Sequence, residues 1–81
     1  MSILVAEIQR LVAEHYEIPV EKLREKTSRP CYARPRHVAM YMARVLTGKS
    51  YPQIGRVFGR DHATVMRSVG IVEDRLGVTD E

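Results

Sequence analysis

The chain has 81 residues, a length that fits one domain with a modest core. Apolar residues make up 44% of it, which excludes compositional disorder, and with no Trp and one Phe the core must come from Val, Ile, Leu, Met and Ala. The formal net charge is only +3, but from Lys26 to Val72 nine basic residues stand against one acid, Asp61, while the two ends together carry −5. A solvated surface mixes signs, so this segregation points to a face that binds a polyanion.

A single cysteine, Cys31, cannot form an internal disulfide and fits a reducing compartment. Met1-Ser2-Ile3-Leu4-Val5 lacks a positively charged leader, and Glu7 and Arg10 interrupt its apolar run, so it does not read as a signal peptide. No stretch approaches the ~20 apolar residues of a membrane span. The expectation is a cytoplasmic protein with no membrane partner.

In chain order, Leu4, Ile8, Leu11, Val12 and His15 follow helical spacing and predict a first helix with one buried face, Ser2 as its N-cap and Ile18-Pro19 as its end. A short second helix is expected over residues 19–26, anchored by Val20 and Leu23. Thr27-Ser28-Arg29-Pro30 reads as a polar, basic loop and a candidate arm. The third helix is expected from Arg34 or Pro35 to Leu46, burying Val38, Met42 and Val45 with Ala39 and Leu46 beside them. Arg36, Arg44 and part of Tyr41 fall on its opposite side, and Gly48 suits a left-handed C-cap.

Ser50-Tyr51-Pro52-Gln53 is a capping box with Pro in the first turn, opening a short helix with Ile54, Val57 and Phe58 as apolar positions. Gly59-Arg60 breaks it. Asp61 then caps a helix from His62 to Leu76, whose Val65, Val69, Val72 and Leu76 form a core stripe. Gly77 to Glu81 reads as a frayed tail. The whole is an all-α domain of about five helices, with no strand, repeat or linker.

The last two helices and their glycine turn form a helix-turn-helix pattern. On a helical wheel Ala63 and Arg67 point away from the apolar stripe, with Thr64 and Ser68 to one side and His62 at the tip on the other. These side chains read base edges: Arg suits guanine, Thr and Ala the thymine methyl, and His donates or accepts. The stretch from His62 to Gly70 holds no acid, unlike the Glu/Lys pairs of a plain solvated helix. Thr47-Gly48-Lys49-Ser50 contains Gly-Lys-Ser, but Ala43 stands where a phosphate loop needs glycine and the segment follows a helix, so a C-cap followed by an N-cap is the reading and no nucleotide is expected.

Ala33-Arg34-Pro35-Arg36-His37-Val38-Ala39-Met40-Tyr41-Met42-Ala43-Arg44-Val45-Leu46-Thr47, Ser50-Tyr51-Pro52-Gln53-Ile54-Gly55 and Phe58-Gly59-Arg60-Asp61-His62-Ala63-Thr64-Val65 together resemble the C-terminal DNA-binding domain of the replication initiator DnaA. The resemblance covers nearly the whole chain. It implies a domain that binds double-stranded DNA at DnaA-box-like sites, with His62, Ala63 and Thr64 reading the major groove and Asp61 beside them. Arg36 matches a basic residue that approaches the DNA, and Arg44, Lys49 and Arg60 match backbone-contacting or neighbouring positions. Three departures stand out. Gly59 is alone where the family has two glycines, and Ala63 replaces a hydroxyl. The minor-groove arginine falls at Ser28, with Arg29 one place later.

The sequence expectation is therefore sequence-specific duplex binding by a nucleoid-associated protein acting in replication-origin binding or transcription regulation. Asp61, His62, Ala63, Thr64 and Arg67 are the base-reading set. Arg29, Arg34, Arg36, Arg44, Lys49 and Arg60 are the backbone or minor-groove set. No catalytic constellation, metal site or cofactor is expected: His15, His37 and His62 lack ligand partners at suitable spacing. The initiator's ATPase module is absent, so the chain is an excised domain or a stand-alone relative, and the Met start and acidic finish favour the latter. The alternative is a protein-interaction adaptor that kept the helical fold and lost DNA binding; its mark would be an exposed apolar patch, which the sequence does not reveal.

Overall fold

A computed structural model of the chain describes residues 3–77. It is all-helical: α1 (Val5–Tyr16), a short 3-10 helix (Val20–Leu23), α2 (Pro30–Thr47), α3 (Tyr51–Phe58) and α4 (His62–Leu76). The expected cap at Ser2 and the tail after Gly77 lie outside the described residues. Packing centres on α2, which lies against both α1 and α4, while α3 packs on α4. Phe58, Ile8, Leu23, Met40, Ile54 and Val65 are fully buried where these helices meet.

Two expected faces are rotated, and a third differs at one position. In α1 the inward positions are Val5, Ile8, Gln9, Val12 and Ala13, whereas Leu11 is 61% exposed and Leu4 and His15 are exposed too. Gln9 turns inward because its amide finds partners at both ends there, donating to the Val57 carbonyl and accepting from Arg24, which hydrophobic spacing cannot signal. In α2 the buried face is Pro35, Arg36, Ala39, Met40 and Ala43. Ala39 and Ala43 let the flanking helices come close, and Val45 and Leu46 are left exposed at the far end. Arg36, expected outside, is buried. In α4 Val65, Val69 and Val72 are buried as expected, joined by Ser68 rather than Leu76.

Helix α2 also starts earlier than expected, at Pro30, so Cys31 lies in its first turn and Pro35 inside the helix. Pro30 suits a first turn because its missing N–H has no helical partner to lose. Pro35 fixes a helical φ at the cost of one intrahelical hydrogen bond. Two further boundaries differ from the expectation: α1 is capped at Leu4 rather than Ser2 and ends at Tyr16, before Ile18-Pro19, and the second helix is a 3-10 helix of four residues rather than a helix over 19–26, whereas the end of α2 and the bounds of α3 and α4 follow the sequence. Glu7 accepts a hydrogen bond from the Leu4 N–H at 2.9 Å, Gly48 closes α2 at φ 68°, and Ser50 and Gln53 form the capping box of α3.

Leu76 lies in the last turn of α4 and, with Tyr16, Val38, Ile71 and Val72, lines an open apolar groove of about 390 Å³ between α2 and α4. A second hollow of about 370 Å³, lined by Leu11, Val12, His15, Tyr16, Val38 and Met42, adjoins it. The exposed apolar patch that the sequence did not reveal is therefore here.

Of the glycines, Gly55, beneath the turn between α3 and α4, has the least room for a side chain. Gly59 adopts φ 68°, and the Arg60 N–H reaches back to the Gly55 carbonyl at 2.8 Å, the six-residue closure of a Schellman motif. That closure lays the Arg60 peptide over Gly55, where a Cβ would run into the Arg60 carbonyl oxygen and lie 3.3 Å from its carbon. Gly70, in mid-α4, faces open space instead. Gly55→Ala is therefore expected to lower stability by about 1–3 kcal/mol, and Gly70→Ala to raise it by about 0.5–1 kcal/mol. Opposite shifts in the thermal unfolding midpoint, followed by circular dichroism, check both.

Candidate nucleic-acid interface

The N-terminus of α4 is built by Asp61. Its backbone is extended (φ −79°, ψ 167°), and its carboxylate accepts the Thr64 N–H at 2.8 Å. This frees His62 and Ala63 to stand exposed on the first turn, with Thr64 half-buried beside them and exposed Arg67 one turn on. Helix N-termini carry partial positive charge and unpaired N–H groups, which suit phosphate oxygens.

Beside this turn lies a groove of about 750 Å³, lined by Lys26, Thr27, Ser28, Gly55, Arg56, Gly59, Arg60, Asp61 and Thr64. Three elements form it: the segment before α2, the last turn of α3, and the start of α4. Among the described residues the one ion pair is Lys22–Glu25 at 3.2 Å. The cations of the groove thus have no carboxylate at ion-pair distance, and the field of Lys26 and Arg56 is directed to solvent.

The expected residues divide by place. Asp61, Thr64 and Arg60 line the groove, with His62, Ala63 and Arg67 on the adjoining face of α4. Arg29 is exposed at the N-cap of α2, directly after the groove-lining Ser28. Arg44 and Lys49 stand at the opposite end of α3: the Arg44 guanidinium donates to the Lys49 carbonyl at 2.7 Å and stacks 4.6 Å from the Tyr51 ring centroid. Arg34 lines the apolar groove near Arg75 instead. Arg36 is only 7% exposed, so its expected place on the outer side of α2 is corrected: its Nη1 donates to the Thr27 carbonyl at 2.9 Å. Ser68, expected beside the outer face of α4, is buried among Val65, Val69 and Val72.

Lys26 and Arg56 were counted in the charge balance but not singled out, and the structure puts both on the groove. Arg56 had a signal, since on the α3 wheel it points away from Ile54 and Phe58. Lys26 had none, because its position depends on how the preceding segment folds back. Among the described residues no cluster of three metal-ligating side chains occurs, and no helix is long and apolar enough to cross a membrane.

Two helices joined by a glycine turn, the second presenting small and hydrogen-bonding side chains beside a basic groove, define a helix-turn-helix domain. Residues 5–72 match the family described as bacterial dnaA protein helix-turn-helix, and the chain belongs to that family. It is similar to the chromosomal replication initiator protein DnaA of Brucella abortus, with 45% identity over 93% of this chain and 15% of the relative. The same-named protein of Sphingopyxis alaskensis is 50% identical over 88% of this chain and 16% of the relative. That of Cereibacter sphaeroides is 44% identical over 99% of this chain and 18% of the relative. The chain thus spans less than a fifth of the length of these relatives.

Two groups, Asp61 at the start of α4 and His37 on the apolar groove, make stability rise with pH. Hydrogen bonds from Thr64 hold the Asp61 carboxyl below its ordinary range. Burial, and then the charges of Arg36, Arg75 and Arg60, push the His37 imidazole below its ordinary 6.5. In both cases the unfolded chain takes up a proton that the folded one resists. The His37 contribution is present at neutral pH and lost as pH falls from 6.5 through the lowered folded value. The Asp61 contribution is present above about pH 4 and lost as pH falls below it. His37→Gln is expected to flatten the first step and Asp61→Asn the second, read as unfolding midpoint against pH for each variant and the parent.

Proposed function

We propose that the domain binds double-stranded DNA sequence-specifically, with the N-terminal half of α4 in the major groove. The observation that carries the reading is the uncompensated basic groove beside a capped helix whose first turns expose His62, Ala63 and Arg67. Lys26 and Arg56 hold phosphates around the groove, which Arg60 lines while donating to the Glu25 and Phe58 carbonyls, and Arg44 and Lys49 hold flanking phosphates. Arg29 reaches the minor groove. His62, Ala63, Thr64 and Arg67 read bases, with Asp61 fixing the helix start.

The sites are of the DnaA-box type, and the role is replication-origin binding or transcription regulation. Membership of the helix-turn-helix family, and relatives named as replication initiators, support this. Ala63 contributes a methyl contact in place of a hydroxyl hydrogen bond. The exposed apolar groove at Leu11, Tyr16, Val38 and Leu76 is the one observation that favours a second reading, an adaptor that kept the fold and lost duplex binding.

Fluorescence anisotropy of labelled duplexes, one carrying a DnaA box and one scrambled, separates the two across a range of salt. Tighter binding to the box is expected, with affinity on both falling steeply with salt, by about 0.9 in log–log slope per phosphate contact. Absence of salt-dependent binding to either duplex would leave the adaptor. In the same assay Arg67→Ala is expected to cost about 1–3 kcal/mol and to relax preference at one base pair. An equal loss on every sequence would make Arg67 a phosphate contact.

A further inference from the structure

Three arginines converge on the segment 24–29, and each donates to a neutral oxygen rather than a carboxylate. Arg24 donates through Nε and Nη2 to the Gln9 side-chain oxygen at 3.1 and 2.8 Å, and the Gln9 amide donates onward to the Val57 carbonyl of α3 at 3.3 Å. Arg60 donates to the Glu25 carbonyl and, at 3.1 Å, to that of Phe58. Arg36 donates to the Thr27 carbonyl at 2.9 Å. The segment is thus tied to α1, to α2 and to the helix-turn-helix turn, and through Gln9 to α3.

The arrangement is costly. Arg36 is 7% exposed, its Nε has no partner, and the charge of Arg60 opposes its own. A guanidinium whose work was to meet a phosphate would be expected to stand in water until the phosphate arrived. A planar fork buried against a carbonyl fixes the direction of that carbonyl instead, which a flexible ammonium does poorly. What it fixes here is the stretch that places Lys26, Thr27 and Ser28 on the groove and leads directly into Arg29.

We propose that Arg36, with the Arg24–Gln9 pair behind it, is a positioning residue that sets the register between the Arg29 arm and the base-reading face of α4. It determines specificity through the segment and not by touching DNA. The proposal rests on the duplex-binding reading above, but the clamp itself is a property of the free protein.

The test compares Arg36→Lys, Arg36→Met and Gln9→Met with the parent, in amide hydrogen exchange at residues 26–29 of the free chain and in binding to the box and scrambled duplexes. Exchange is expected to quicken about tenfold or more in all three, and preference for the box to fall about tenfold, with lysine no better than methionine. Lysine matching the parent, while methionine loses affinity equally on both duplexes with a salt slope smaller by about 0.9, would overturn the proposal, because that is the signature of a phosphate contact. Should the Arg36 variants fail to fold, Gln9→Met decides: Gln9 is fully buried in α1 and has no surface to offer DNA. Parental exchange and parental preference in that variant would also overturn the proposal. Should the parent bind neither duplex, the duplex-binding reading falls, and the exchange rates alone support or overturn the clamp.

Discussion

Where α3 turns into α4, the Arg60 peptide crosses Gly55 with no room for a side chain between them. The rest of the molecule depends on that approach. It sets where Asp61 caps α4, and so the direction of the helix whose first turns expose His62, Ala63 and Arg67. It also brings the C-terminal turn of α3 and the start of α4 to one side, so that Arg56 and Arg60 share a groove with Thr64. A single glycine in the left-handed region, Gly59, is enough to close the turn, although the family pattern has two.

Electrostatics is arranged around this turn in two different ways. Lys26, Arg29, Arg56 and Arg67 have no carboxylate within ion-pair distance, and their charge is available to a polyanion. Arg24, Arg36 and Arg60 are used inwardly on amide and carbonyl oxygens. The net basic stretch visible in the sequence is therefore two populations with different work. The unpaired outward cations favour a salt-sensitive partner, and the inward ones make the surface that presents them rigid.

Much of the fold was legible because its punctuation is local chemistry. The Ser50–Gln53 box, the glycines at 48 and 59, and the Asp61 cap are short-range signals, and the helix starts and stops fall where they indicate. The faces of α1 and α2 were less legible. Apolar spacing put Leu11 and Val45 inside, but Gln9, Arg36, Met40 and Ala43 are buried in their place. A buried Gln or Arg is stable only through partners distant in sequence, such as Val57 for Gln9, and no periodicity reveals those. The start of α2 was hidden by Pro35, which reads as a boundary yet lies within the helix. For the site, Asp61, His62, Ala63, Thr64 and Arg67 could be read from one helix wheel. The groove facing them needed the segment around Lys26 to fold back, which the sequence did not specify.

The central claim is that a duplex lies against the start of α4 and the segment before α2, and not against the apolar groove lined by Tyr16, Val38 and Leu76. Amide chemical-shift mapping of the domain titrated with a DnaA-box duplex tests this most directly. The account predicts the largest changes at residues 26–29, 56 and 61–67, with Leu11, Tyr16, Val38 and Leu76 nearly unmoved. Changes concentrated on those four residues, with the start of α4 silent, would contradict it.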